Sequence, residues 1–83
     1  MHFEVGWLIT IRVEGAKTAL AEVLTIDPQK EELHVKVWSK HAKRWWREET
    51  IPYSKVRGLA TLADKRVQAI FKEKYREGYE DGV

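Results

Sequence analysis

Cysteine is absent from this sequence, and proline and methionine are scarce, with two prolines and one methionine in 83 residues. Without cysteine the chain cannot form a disulfide bond, a thiolate–zinc site or a thiol nucleophile, and this lack fits a reducing compartment. No apolar run approaches the roughly 20 residues that a membrane-spanning helix requires. The first residues show neither the basic nor the apolar region of a signal peptide. We therefore expect a cytoplasmic protein with no membrane partner.

Catalytic motifs are also missing. The chain has no glycine-rich phosphate loop and no pair of histidines at metal-binding spacing. Its three histidines, His2, His34 and His41, stand apart in the sequence. Glu48 and Glu49 would point to opposite faces of a strand, so they do not form a carboxylate pair for acid–base catalysis. We predict a protein that is not an enzyme and that has no metal site and no cofactor.

The composition is that of one small folded domain. Hydrophobic residues make up 43% of the chain and aromatic residues 11%, which favours a packed core over disorder. We predict a single domain over residues 1–83, with β-structure over residues 1–60 and a helical region over residues 61–80. A domain of this size without cross-links is stable by only roughly 3–5 kcal/mol, so single core substitutions matter.

Charge is distributed unevenly along the chain. Residues 1–33 carry three cations and six acids, a net charge of −3, and residues 58–83 carry five of each. Residues 34–57 carry seven cations and two acids, a net charge of +5, and also hold three of the four tryptophans. We therefore expect the folded domain to have one positive face.

The clearest strand signal is at the start of the chain. Apolar residues occupy every odd position from Phe3 to Val13, Trp7 among them, and Leu8 is the one apolar residue at an even position. A two-residue period indicates a strand with one buried face, so we predict a strand over residues 3–13 with Trp7 in the core.

Turn signals divide the following segment into further strands. Residues 14–17 and 27–30 are typical turns, the second with aspartate first and proline next. A basic loop over residues 40–44 separates two β-like segments, and Pro52 ends the second of them. The predicted strands are residues 18–26, 33–39, 45–51 and a short one at 56–59.

The chain is predicted to continue into an amphipathic helix over residues 62–78. Thr61 is the expected N-cap, with Asp64 three residues further on. The apolar residues of the helix follow helical spacing and form one stripe: Leu62, Ala63, Val67, Ile70, Phe71 and Tyr75. We expect this stripe to pack on the sheet, because the strand at 18–26 has apolar residues in both phases. The alternative is that the helix pairs with a copy of itself or with another protein.

The tryptophans of the central hairpin are assigned to faces by the pleat of the strands. Val37 belongs to an aliphatic phase that must face the core, so Trp38 is expected to be exposed. Trp45 and Trp46 are adjacent and must point to opposite faces. We expect Trp45 to be inside, in phase with Ile51, and Trp46 to be outside. The register of this hairpin is left open.

Two short pieces of the chain resemble Src-homology-3-like barrels. These are Trp45-Trp46-Arg47-Glu48 and Ile51-Pro52-Tyr53-Ser54-Lys55-Val56, because such barrels often show a Trp-Trp pair and a later proline-containing turn before the last strand. The gap between the pieces is shorter than in the peptide-binding family, and the tyrosine-rich first loop is missing. The resemblance therefore implies the architecture rather than recognition of proline-rich peptides.

The expected fold is mainly β with one C-terminal α-helix. The sheet is predicted to be a small antiparallel SH3-like or Tudor-like barrel, or a strongly bent sheet, of four to five strands. Similar barrels of the Tudor, Sm and integrase-tail kind bind nucleic acids or proteins, so the fold leaves function open.

Two functions fit the central hairpin. The first is nucleic-acid binding that is largely tolerant of sequence, with cations on phosphates and indoles stacked on bases. The residues concerned are Lys36, Trp38, Lys40, Lys43, Arg44, Trp46 and Arg47. The second is a protein-interaction module or assembly subunit, because exposed tryptophan and arginine dominate protein interfaces and the terminal helix offers a further surface for self-association.

Overall fold

The computed structural model describes residues 2–72 and shows one antiparallel sheet of five strands followed by a helix. The strands are β1 (Leu8–Val13), β2 (Lys17–Asp27), β3 (Glu32–Ser39), β4 (Arg44–Pro52) and β5 (Val56–Leu59). Helix α1 covers residues 65–72. The predicted fold class, mainly β with one C-terminal helix, is confirmed. Residues 73–78 of the predicted helix lie outside the described residues.

The strands follow the order β4-β3-β2-β1-β5, so the first four form a meander and β5 returns to pair with β1. The β1–β5, β2–β3 and β3–β4 pairings each contain a register shift. Such bulges bend a sheet and increase its twist. Among the described residues the sheet is open, with β4 and β5 at its edges. Of the two predicted forms, the structure has the sheet rather than the closed barrel.

The first strand is shorter than predicted because the chain turns just before it. Gly6 has a φ of +92°, a conformation that glycine adopts without a steric penalty, and its N–H donates to the carbonyl oxygen of Val23 at 2.8 Å. Phe3 is still buried, and its ring centroid lies 4.8 Å from that of Tyr53. Trp7 is half-buried against the core, on the predicted face.

One face of the sheet carries the main core. Alternate residues of the strands point to this face, as the two-residue period predicts. The buried members are Phe3, Ile9, Ile11, Ala21, Val23, Leu33, Val35, Val37 and Ile51.

Helix α1 covers part of the opposite face of the sheet. Val67 and Ile70 of the helix pack against Leu20 and Trp38 in a second apolar cluster. Trp38 is only 9% exposed, so the prediction that it is exposed is wrong. Its phase opposite Val37 follows the pleat as expected, but the pleat does not reveal that a helix covers that face.

The start of α1 also differs from the prediction. The helix begins at residue 65 rather than 62, and its N-cap is Asp64 rather than Thr61. Asp64 Oδ1 accepts a hydrogen bond from the backbone N–H of Arg66 at 2.8 Å. The Arg66 guanidinium donates to Asp64 Oδ2 at 2.7 Å and to the backbone oxygen of Thr18 at 3.1 Å, which ties the helix to β2.

This arrangement holds the pKa of Asp64 below its usual value. The hydrogen bond from the Arg66 side chain is the largest cause, and it outweighs burial, which acts in the opposite direction. No helix within residues 2–72 is long and apolar enough to cross a membrane.

Candidate nucleic-acid interface

The turn between β3 and β4 holds two of the predicted cations at the surface. Ser39 organises this turn, because its hydroxyl oxygen accepts the N–H of Ala42 at 3.1 Å and its carbonyl oxygen accepts the N–H of Lys43 at 2.8 Å. Lys43 has a φ of +53°, in the left-handed region that favours glycine or asparagine. Lys40 and Lys43 are both exposed.

Trp46 is displaced from the regular ladder by a bulge in β4. Val37 lies opposite Arg47 and Trp38 lies opposite Trp45, so Trp46 is an extra residue with no partner on β3. It is 60% exposed and belongs to neither apolar cluster. The prediction that Trp46 lies outside is confirmed.

The same bulge explains the position of Trp45. Trp45 is half-buried, as expected, but it packs with Trp38 in the second cluster instead of sharing the face of Ile51. The ring centroids of Trp38 and Trp45 are 5.2 Å apart in an edge-to-face arrangement. The inserted residue changes the phase of β4, so the predicted match between Trp45 and Ile51 is wrong.

Arg47 lies against the exposed indole. Its guanidinium carbon is 4.5 Å from the centroid of the Trp46 ring, a cation–π distance. Its Nη2 atom is 3.3 Å from Oε2 of Glu49, so the guanidinium contacts a carboxylate as well as the indole.

We call the exposed group around this bulge the basic turn surface. It consists of Lys40, Lys43, Arg44, Trp46 and Arg47. No acidic residue lies between positions 40 and 47, and Glu48 and Glu49 follow directly. The surface therefore holds the three positive charges of Lys40, Lys43 and Arg44 near one indole. The charge of Arg47 is paired with Glu49, and the surface ends there along β4.

Two of the residues predicted for the interface lie elsewhere. Trp38 is buried under α1 and offers no ring face to a ligand. Lys36 lies on the face of the sheet that α1 partly covers, with its Nζ atom 3.7 Å from Oε2 of Glu22 and 4.5 Å from the Trp45 ring centroid. Since its charge already has a carboxylate partner, Lys36 does not join the basic turn surface.

Cross-strand pairing also gives His34 partners that its isolation in the sequence did not suggest. Its Nε2 atom is 2.9 Å from Oε1 of Glu48, and its Nδ1 atom is 3.1 Å from Oγ1 of Thr50. His34 and Thr50 line a shallow groove of about 720 Å³ at the end of β3 away from the basic turn. These contacts depend on the register of the β3–β4 hairpin, which the sequence left open, so they could not be predicted. Within residues 2–72 no group of three or more His, Asp or Glu side chains could hold a metal ion.

An apolar groove lies between the start of β1, the end of β5 and the start of α1. It has a volume of about 420 Å³, and Trp7, Leu59, Leu62 and Val67 are among the residues that line it. Leu59 is 57% exposed and Leu62 is 71% exposed. Exposed apolar side chains around a groove are typical of a contact surface.

Comparison with protein-family models, with curated proteins and with solved structures found no match for this chain. Its function is therefore inferred from the geometry of the chain's own residues.

Proposed function

We propose that this protein binds nucleic acid through the basic turn surface, largely without regard to sequence. The observation that carries the proposal is the grouping of three exposed cations, Lys40, Lys43 and Arg44, with no acidic residue between positions 40 and 47. Arg47 lies beside them with its charge paired to Glu49. Cations at such spacing neutralise phosphates and release counterions, which is the main source of sequence-tolerant affinity. The proposal includes a cytoplasmic location, which a chain without cysteine fits.

The backbone of Lys43 adds support. A left-handed conformation costs a residue with a side chain roughly 1–2 kcal/mol, and glycine or asparagine would be the more stable choice at this turn. Strained residues are found most often where their side chain has a function. Lys43 carries this strain at φ +53°, as Glu31 does in the β2–β3 turn, and at Lys43 the strain is compatible with a role for the charge.

A charge-reversal titration tests the proposal. Binding of mixed-sequence single-stranded and double-stranded oligonucleotides is measured by fluorescence anisotropy at low and moderate salt. We expect micromolar affinity at low salt, a steep fall with added salt, and loss of binding in the double variant Lys43→Glu plus Arg44→Glu.

The matched control is Lys30→Glu plus Lys55→Glu. These two exposed cations lie at the opposite end of the β3–β4 hairpin, where the N–H of Tyr53 donates to the carbonyl oxygen of Glu31 at 2.9 Å. The control changes the net charge of the protein by the same amount, so it should retain most of the affinity. Absence of binding by the unmodified protein at low salt would overturn the proposal.

Assembly with a second copy of the chain is the second candidate function. The exposed Leu59 and Leu62 beside the apolar groove favour it. Residues 58–83 have no net charge, so two copies meeting there would not repel each other while their basic turn surfaces stay apart. Sedimentation velocity over a range of concentrations tests it. We expect a dimer that Leu62→Asp converts to a monomer, and a monomer at every concentration would exclude it.

A further inference from the structure

Trp46 has no structural role that accounts for its size. All four tryptophans lie within the described residues, and three of them are buried or half-buried in the apolar clusters. Trp46 instead stands at a bulge with 60% of its surface open to solvent. A large exposed indole among cations is typical of a stacking platform for bases.

The indole is also held in place before any ligand binds. The bulged backbone is flanked by paired residues on both sides, since Arg47 lies opposite Val37 and Trp45 lies opposite Trp38. The Arg47 guanidinium packs on the ring at 4.5 Å and also contacts Glu49. A side chain that is already ordered loses less conformational entropy when a ligand stacks on it.

We propose that the ligand of the basic turn surface is single-stranded nucleic acid, selected by one unpaired base that stacks on Trp46. This inference rests on the proposed nucleic-acid binding by the same surface. In a duplex the faces of the bases are covered by the neighbouring bases, so a duplex can contact only the cations of the basic turn surface. An unpaired base exposes its π-face and can lie on the indole while adjacent phosphates contact Lys43, Arg44 or Arg47.

The acidic residues around the surface limit the footprint to a short length of strand. Glu48 and Glu49 follow Arg47 directly along β4, and Glu22 neutralises Lys36 on the face partly covered by α1. Phosphates are therefore disfavoured along the adjoining part of β4 and favoured along the turn. One indole within such a short basic stretch provides one stacking position per domain.

The test compares three ligands with the same length and sequence. They are a single strand, its duplex, and a single strand in which every base is replaced by an abasic site. Affinities are measured for the unmodified protein and for Trp46→Leu, Trp46→Tyr and Lys43→Glu plus Arg44→Glu. The abasic strand keeps the phosphates and removes the stacking partner.

We expect the unmodified protein to prefer the single strand over both other ligands. Trp46→Leu should weaken single-strand binding by about 5- to 150-fold, the range expected for loss of one stacked base, and should weaken duplex and abasic binding much less. Trp46→Tyr should restore most of the single-strand affinity, because tyrosine also presents an aromatic face. Thermal unfolding of each variant verifies that it is folded.

The outcomes separate this inference from the proposed function. If the duplex binds as tightly as the single strand and Trp46→Leu has no effect, while the double charge reversal abolishes binding, single-strand selection is wrong and nucleic-acid binding remains. If the unmodified protein binds none of the three ligands, both proposals are wrong.

Discussion

Single side chains show where the needs of stability and of function differ, and Lys43 is the clearest case. Its left-handed backbone places a cation at the tip of the hairpin, where a lysine is less stable than a glycine. The neighbouring cation Lys40 has no positive φ and carries no such strain. The two lysines therefore allow the charge and the strain to be examined separately.

Lys43→Gly is expected to stabilise the fold and weaken ligand binding at the same time. Relief of the left-handed strain should raise the free energy of unfolding by up to about 1 kcal/mol after the extra entropy of glycine is offset. The control Lys40→Gly removes the same charge without relieving strain, so it should lower both affinity and stability. Urea denaturation and oligonucleotide titration measure the two effects. A loss of stability in Lys43→Gly would contradict the prediction.

The tryptophans differ at the same scale. Trp38→Ala removes a buried ring from the second cluster and should destabilise the domain by about 3–5 kcal/mol, comparable with its whole stability. Trp46→Ala removes an exposed ring and should change stability by no more than about 0.5 kcal/mol. Thermal and chemical unfolding distinguish the two variants. Similar losses in both would be inconsistent with the burial of Trp38 and the exposure of Trp46.

Among the elements, α1 depends on the ion pair at its first turn. Asp64 caps the helix and pairs with Arg66, whose guanidinium also reaches the backbone of β2. A lowered carboxyl pKa means that the folded state favours the charged form. This contribution to stability is complete above the ordinary pKa of an aspartate and is lost as the pH falls through the lower pKa of the folded state.

Asp64→Asn tests the charge while keeping a residue that can cap the helix. The variant should be less stable than the unmodified protein at neutral pH, and the difference should shrink to near zero in acid, where Asp64 is protonated. Asp64→Ala also removes the helix cap. Its free energy of unfolding should therefore be about 1 kcal/mol lower than that of the Asp64→Asn variant at every pH. Urea denaturation across the acidic range gives both results. A stability difference between the unmodified protein and the Asp64→Asn variant that does not change with pH would contradict the role of the charge.

The strands and turns could be predicted from the sequence where the local pattern of residues determines them. The alternation in β1 and β3 and the turn at residues 27–30 correctly located strands and the main core. Two features could not be predicted because they depend on pairing. The bulge at Trp46 changes the phase of β4. Packing of the helix on the sheet was expected, but the local pattern did not show that α1 also covers Trp38.

At the scale of the whole molecule, the exposed positive charges and the apolar clusters lie in different places. The described β3–β4 turn carries the positive surface, while the two apolar clusters lie on the two faces of the sheet and Lys36 is paired with Glu22. Of the seven cations between residues 34 and 57, four lie in the basic turn surface. Lys36 is paired with Glu22, Lys55 lies at the opposite end of the β3–β4 hairpin, and Arg57 lies on β5. The predicted set was reduced from seven residues to five by burial of Trp38 and by pairing of Lys36 with Glu22.

Salt dependence measures how many of these charges act together. If Lys40, Lys43 and Arg44 contact phosphates, the slope of log K against log salt should be about −2 for a single strand. Arg47 is not counted, because its charge is paired with Glu49. Lys40→Gln should make the slope less steep by about 0.7, the contribution of one phosphate contact. Lys36→Gln is the matched control and should leave the slope unchanged, because its charge is compensated in the protein. A slope near zero would contradict an electrostatic interface.

The bulge at Trp46 has a further consequence for a sheet that is open at both edges. A long, flat edge strand is a template on which other chains pair and aggregate, and bulges and charged side chains are the common protection. β4 has both: the inserted Trp46 interrupts its hydrogen-bonding pattern, and Arg47, Glu48 and Glu49 follow it. Trp46, which we propose as a stacking surface for a base, is therefore also expected to oppose the pairing of other chains along this edge.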